Sequence, residues 1–186
     1  MRLVILDRDG VINEDSDDFI KSADEWVPIP GSLEAISQLC HAGFSVAVAT
    51  NQSGIGRGLY PLENLHEMHK KMADMLEGMG GYVDAVFYCP HLPSAKCSCR
   101  KPKPGMLLDI ARRFDVNSLA DVYFIGDTYR DVQAARAAGA IPVLVKTGKG
   151  MRTLEKHSQQ ELSDVLIFDD LLTATNNLLV VSTDNV

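Results

Sequence analysis

The chain has 186 residues, of which 46% are hydrophobic and 23% charged. That is the balance of an ordinary soluble globular protein, long enough to bury a core. Its formal net charge of −7 argues against a nucleic-acid binder held by phosphate contacts, which needs a basic surface. A small anionic substrate stays open, because a local basic pocket can work on an acidic protein. No apolar run approaches the ~20 residues that span a bilayer. Met1-Arg2 leads straight into Leu3-Val4-Ile5-Leu6 and then the charged Asp7-Arg8-Asp9, which is no signal sequence. The expectation is a cytoplasmic monomer with no membrane or nucleic-acid partner.

Apolar runs that end in polar loops alternate with helical patterns along the chain. Leu3–Leu6 is short and fully apolar, as expected of a strand buried on both faces. Gly31–His41 reads as a helix with Leu33, Ile36, Leu39 and Cys40 on one face, and Phe44–Ala49 as the second strand. Leu62–Met79 has apolar residues spaced by three or four and stops at Gly80-Gly81. Strands follow at Val83–Tyr88, Val122–Ile125 and Pro142–Val145, with helices at Met106–Phe114 and Arg130–Ala138. After Lys146 the pattern weakens through Gly148-Lys149-Gly150, then Val165–Phe168 predicts an edge strand and Asp170 opens a closing helix. The alternation predicts one α/β domain over 1–186, a three-layer doubly wound parallel sheet of the Rossmann-like kind with no large cap domain.

In such sheets ligands bind at the carboxyl ends of the strands. Three strands run there into polar residues: Leu6 into Asp7-Arg8-Asp9, Ala49 into Thr50-Asn51-Gln52, and Ile125 into Gly126-Asp127. Asp7 and Asp9, two apart, project to one side if the chain stays extended, and carboxylates that close repel unless a cation or proton lies between them. Asp127 adds a third carboxylate, and Asp131 stands one helical turn beyond it. Hard oxygen ligands of this kind suit Mg²⁺. A single aspartate at a strand end is usually a cap or a solvated loop residue; three such strand ends together point to phosphoryl transfer. Asp7 fits a nucleophile that forms an aspartyl phosphate. Asp9 fits the acid that protonates the leaving alkoxide and the base that then activates water. Thr50 offers a hydroxyl, and Lys101 or Lys103 a cation, for the transferring group.

Asp7-Arg8-Asp9-Gly10, the Thr50-Asn51-Gln52 step, Arg100-Lys101-Pro102 and Gly126-Asp127-Thr128 resemble the four motifs of the haloacid-dehalogenase superfamily of phosphatases, over roughly the first 150 residues. The resemblance implies that Asp7 is the nucleophile and Asp9 the acid/base, and that Thr50 and Lys101 bind the phosphoryl group. It further implies Mg²⁺ held by Asp7, the backbone carbonyl of Asp9 and Asp127, with Asp131 behind them. A receiver-like signalling domain also phosphorylates an aspartate on a parallel sheet, but Asp9 is placed to hydrolyse the intermediate that signalling must preserve.

Cys89-Pro90-His91 and Cys97-Ser98-Cys99 form a second constellation. Three thiolates and one imidazole make the closed tetrahedral set of a structural Zn²⁺, which would fix Arg100 and Lys101 immediately after it. A Cys/Cys redox pair leaves His91 and the third cysteine unexplained. Cys40 stands alone and reads as a small buried hydrophobe; His41, His66, His69 and His157 lack ligand spacing and read as surface or core-edge residues. A zinc loop at 89–99 resembles two branches of the superfamily, heptose bisphosphate phosphatases and histidinol-phosphate phosphatases. The runs Thr50–Gly58 and Lys101–Met106 look more like the former. That likeness implies a phosphorylated sugar substrate cleaved at C7 in the supply of ADP-heptose for the lipopolysaccharide core, with the histidinol phosphate reaction as the alternative. It also implies that Asn51, Gln52, Ser53 and Arg100 contact substrate and that the segment from Asn13 to Lys21 lines the sugar pocket. The acids Asp15, Asp17 and Asp18 in that segment read equally well as a solvated turn.

Overall fold

The computed structural model describes residues 2–183. In chain order the elements are β1 (Arg2–Leu6), α1 (Ser32–His41), β2 (Phe44–Asn51), α2 (Ser53–Gly56), α3 (Leu62–Glu77) and β3 (Ala85–Cys89). They continue with α4 (Gly105–Arg113), β4 (Tyr123–Gly126), α5 (Tyr129–Ala138), β5 (Ile141–Val145), α6 (Gly150–Lys156), β6 (Leu166–Phe168) and α7 (Leu171–Thr183). The strands form one six-stranded sheet in the order β3-β2-β1-β4-β5-β6, every pair parallel.

Side chains alternate across each strand and so feed two cores. Val4 and Leu6 of β1, with Val46 and Val48 of β2, face Ile36 and Leu39 of α1, Leu65 and Met68 of α3 and Ala174 and Leu178 of α7. Leu3, Ile5, Ala47 and Ala49 face the other way, onto Leu107 and Ile110 of α4 and Ala134 and Ala135 of α5. A sheet with helices on both sides explains why β1 is apolar at consecutive positions: each fully buried Leu or Ile contributes about 1.5–3 kcal/mol on either face. Cys40 departs from expectation. It is half-buried at the rim of the first core, its thiol donating to the Tyr82 carbonyl at 3.2 Å.

The chain moves outward from β1 through β2 to β3, then crosses back to place β4 on the other flank of β1. The reversal lies between β1 and β4, where the Asp7 amide donates to the Ile125 carbonyl at 2.8 Å. Two departures from the sequence reading bear on that end of the sheet. β2 continues past Ala49, with Thr50 opposite Tyr88 and Asn51 opposite Cys89, so Thr50 stands on a paired strand instead of a loop. The weak stretch after Lys146 contains α6, seven residues and thus too short to display a helical period.

Candidate active site and metal centre

The carboxyl ends of β1, β2 and β4 open into a cleft of about 330 Å³ lined by Asp7, Asp9, Thr50, Asn51, Gln52, Ser53, Arg100, Lys101, Asp127 and Asp131. The residues expected from sequence to carry the chemistry therefore meet in one place. At its floor the Lys101 ammonium, 2% exposed, lies 2.8 Å from Asp7 Oδ2 and 2.7 Å from Asp131 Oδ1. Asp131 Oδ2 accepts from the Thr128 amide at 2.9 Å and the Thr128 hydroxyl at 2.6 Å. Burial opposes ionisation of Asp131, but Lys101 and Thr128 outweigh it and hold the carboxyl below the usual range.

Asp7 and Asp127 are less well compensated. Burial pushes the Asp7 carboxyl up to about 7, against the pull of Lys101 and with Asp131 adding to the rise. Burial, then Asp131 and Asp7, push Asp127 up to about 8. One oxygen from each of Asp7, Asp127 and Asp131 lies within 4.8 Å of the others. Once all three are ionised, three carboxylates beside one ammonium leave two negative charges, the complement of one divalent cation, and the all-oxygen donor set suits Mg²⁺. Glycine permits this crowding: Gly10 has φ +82°, and a Cβ there would collide with the Asp127 carboxylate. The Lys149 amide donates to Asp127 Oδ2 at 2.7 Å and fixes its other flank.

Asp9 sits beside this cluster in a different environment. Its Oδ1 accepts from Arg8 Nε at 3.0 Å, Arg8 Nη2 at 2.8 Å and Asn13 Nδ2 at 2.9 Å, and its Oδ2 from Gln52 Nε2 at 2.8 Å. Burial would raise its pKa; Arg8, Asn13 and Gln52 together hold it below the usual carboxylate range. Arg8 is wholly buried, and its Nη1 reaches His69 Nε2 at 3.5 Å. Burial and the Arg8 charge depress His69 to about 4, so its ring is neutral and Nε2 accepts. His69, expected at the surface or the core edge, and Arg8, given no role by its motif, form a pairing that only the fold brings together.

Asn51 and Lys101 bind each other reciprocally, Asn51 Nδ2 to the Lys101 carbonyl and the Lys101 amide to Asn51 Oδ1, both at 3.1 Å. The Gln52 amide group is engaged by Asp9, by Thr50 Oγ1 at 2.8 Å and by the Tyr60 hydroxyl at 2.7 Å. Both side chains line the cleft and are also bonded within the protein. Ser53 is buried in the cleft wall, while Arg100 is half-buried and reaches the His91 carbonyl at 3.4 Å.

Cys89, His91, Cys97 and Cys99 converge just before Arg100 and Lys101, their ligand atoms within 4.8 Å of one another. The sulfur–sulfur separations are 3.3, 3.5 and 3.7 Å, and His91 Nδ1 lies 3.3 and 3.5 Å from Cys99 and Cys89. A tetrahedron of 2.3 Å zinc–sulfur bonds has edges of about 3.8 Å, close to this arrangement. The set is closed, with no protein position left for a reactant. Cys89 also anchors the active site through its main chain, its carbonyl accepting from the Gln52 amide at 2.8 Å.

Residues 98–174 match the HAD-hydrolase-like family model. A 56% identical protein of Pseudomonas putida aligns over 96% of this chain and 100% of its own length, and it is named D-glycero-beta-D-manno-heptose-1,7-bisphosphate 7-phosphatase. This chain belongs to the haloacid-dehalogenase-like hydrolases. A Neisseria meningitidis serogroup B protein of the same name is 48% identical over 98% of this chain and 97% of its own length. The crystal structure of D,D-heptose 1,7-bisphosphate phosphatase from B. bronchiseptica, complexed with magnesium and phosphate, superposes with a TM-score of 0.93 at 52% identity. The superposition covers 97% of this chain and 99% of that one.

Outside the four motifs of these hydrolases, the mouth of the cleft is formed by Asp15, Ser16, Asp17, Phe19, Arg57, Arg130 and Lys149. The Asn13–Lys21 segment therefore reaches the cleft, as the resemblance implied. Two of its acids are held in place as well: Lys149 Nζ lies 2.7 Å from Asp15 Oδ2 and 3.3 Å from Asp17 Oδ1. Arg57 packs over the Phe19 ring with 5.7 Å to the centroid. Arg57 falls within the quoted Thr50–Gly58 run but was given no role there, while Arg130 and Lys149 lie outside the quoted motifs, and nothing in their local pattern distinguished them from surface charges.

Proposed function

We propose that this chain is a Mg²⁺-dependent phosphatase that removes the C7 phosphate of D-glycero-D-manno-heptose 1,7-bisphosphate through an aspartyl phosphate on Asp7. The observation that carries the reaction is the pairing of Asp7, charge-crowded beside Lys101, with Asp9, separately hydrogen-bonded in the same cleft. The choice of substrate is supported by relatives of that name at 48–56% identity, aligned over nearly their whole length.

Asp7 and Asp127, with the main chain of Asp9, would hold the cation. Mg²⁺ bound there offsets the carboxylate charge and that of the incoming phosphate. A carboxylate oxygen of Asp7 attacks phosphorus as the bond from phosphorus to the C7 oxygen breaks, and Asp9 gives its proton to the departing alkoxide. Lys101 and the Thr50 hydroxyl face the oxygens on which negative charge spreads. Water then attacks the phosphorus of the aspartyl phosphate and gives its proton to Asp9, which releases inorganic phosphate and restores Asp7. The low pKa of Asp9 suits this second step, which needs the ionised form. For the first step the arriving phosphate dianion favours the protonated carboxyl, as like charges do. The closed zinc site takes no part in these steps; it holds the loop that presents Arg100 and Lys101.

Phosphorus NMR during turnover of the heptose bisphosphate tests the reading. The C7 resonance is expected to disappear while the C1 resonance persists. Loss of the C1 phosphate, or a higher kcat/KM on histidinol phosphate, would overturn the substrate assignment.

A further inference from the structure

A hydrogen-bonded chain runs behind Asp9 and ends on a tyrosine that does not line the cleft. Tyr60 is 5% exposed, with its ring against Gly54, where any Cβ would collide with it. Its hydroxyl donates to Gln52 Oε1 at 2.7 Å. The Asp9 carboxylate can only accept, so the NH₂ end of the amide faces it and the oxygen end is left to Tyr60. With its oxygen held by Tyr60, Gln52 turns its NH₂ group to the opposite side, where the two N–H bonds meet Asp9 Oδ2 and Thr50 Oγ1, each at 2.8 Å.

The orientation matters because a carboxamide presents a donor on one side and an acceptor on the other. Turned over, Gln52 would set its carbonyl oxygen against the Asp9 carboxylate. The carboxylate disfavours that arrangement, and Tyr60, kept protonated because burial pushes it up to about 12, adds its own donated bond to the observed one. Meanwhile Asp9 Oδ1 is taken up by Arg8 and Asn13, so the Gln52 contact is what places Oδ2, the oxygen left to exchange a proton. Thr50 accepts from Gln52, which leaves its single hydroxyl hydrogen to be donated elsewhere.

We propose that Tyr60 is a positioning residue: by fixing the Gln52 amide it holds Asp9 in the conformation from which Asp9 protonates the leaving alkoxide. This rests on the reading of Asp9 as the acid/base. The test compares kcat/KM for a sugar bisphosphate, whose alkoxide must be protonated to depart, with kcat/KM for p-nitrophenyl phosphate, whose phenolate leaves almost unaided. Asp9→Asn is the reference and is expected to depress the sugar substrate far more than the aryl ester. Tyr60→Phe keeps the ring and removes the hydroxyl. It is expected to lower kcat/KM for the sugar substrate ~10-fold, the effect of one lost buried hydrogen bond, and for the aryl ester by no more than ~2-fold. A residue that merely stiffened the fold would affect both substrates alike. If Asp9→Asn discriminates between them and Tyr60→Phe does not, the positioning role is wrong while the acid/base reading stands. If Asp9→Asn itself fails to discriminate, the acid/base reading falls and this proposal falls with it. Should Tyr60→Phe not fold, Gln52→Met removes the same donor to Asp9 and is read by the same ratio of substrates.

Discussion

Withdrawing Mg²⁺ is expected to make the folded protein acid-loving. In the metal-free state Asp7 stands at about 7 against an ordinary 3.8, and Asp127 at about 8 against 3.8. A carboxyl whose folded pKa is raised stabilises the fold fully below its unfolded pKa, and that stability is lost as pH rises towards the folded value. Because Asp7, Asp127 and Asp131 crowd one site, their contributions do not simply add, and Asp7 alone sets the scale. At about 1.4 kcal/mol per pH unit, the part of its window between pH 5 and 7 amounts to ~3 kcal/mol, or a Tm about 10 °C lower at pH 8 than at pH 5. Saturating Mg²⁺ compensates the same charges, so its stabilisation is expected to grow with pH and largely flatten the profile. The fluorescence of Trp26, the single tryptophan and wholly buried, can follow unfolding. Buffers free of magnesium and of chelator keep the zinc in place. Asp127→Asn removes one of the crowded charges and is expected to be more stable than the parent at pH 8 without Mg²⁺. Magnesium-free stability that stays flat or rises from pH 5 to 8, or an Asp127→Asn protein weaker than the parent there, would refute the charge-crowding account.

Asp7→Asn is expected to leave the fold intact and abolish turnover, because an amide is no nucleophile; acid quench should then recover no phosphorylated protein. Cys97→Ser is expected to lower bound zinc from about one per chain and reduce Tm before it affects chemistry; a zinc-free, fully active protein of unchanged Tm would exclude a structural metal. Arg100→Ala is expected to reduce kcat/KM for the bisphosphate ~10–100-fold, as for a lost charge-assisted hydrogen bond, and to spare a small aryl phosphate. An equal loss on both substrates would place Arg100 among the groups that contact the transferring phosphoryl.

The sheet and the polar residues that meet in the cleft were legible because each leaves a strong local mark. A consecutive apolar run such as Leu3–Leu6 fits only a strand covered on both faces, and polar residues at three strand ends fall where a parallel sheet opens. The Cys89–His91 and Cys97–Cys99 set, which could hold zinc, is equally local, two pairs within one short loop. What escaped were partnerships between distant parts of the chain. Nothing near Asn51 foretells that its amide clasps the Lys101 backbone, fifty positions away. The likeness made Gln52 a substrate contact, and nothing near it foretells that its amide is also shared among Asp9, Thr50 and Tyr60. Lys149 was lost in a glycine-flanked stretch with no period, and only the packing of that stretch against Gly10 and Asp127 gives it a place.

The position of β1 between β2 and β4 also sets the order in which the protein can be made. While the chain is being synthesised, β1, β2 and β3 are available to pair well before Tyr123 has left the ribosome. Until then the flank of Val4, Ile5 and Leu6 that β4 will cover is an apolar strand with free amides and carbonyls, a template for pairing with another chain. Closing that flank joins segments about 120 residues apart, a slow event by its contact order. Asp127 arrives only with β4, so the acidic cluster cannot form before the edge is sealed. The nascent protein thus exposes an aggregation-prone edge along the strand that runs into Asp7, and the crowding of the carboxylates is deferred to the step that covers that edge.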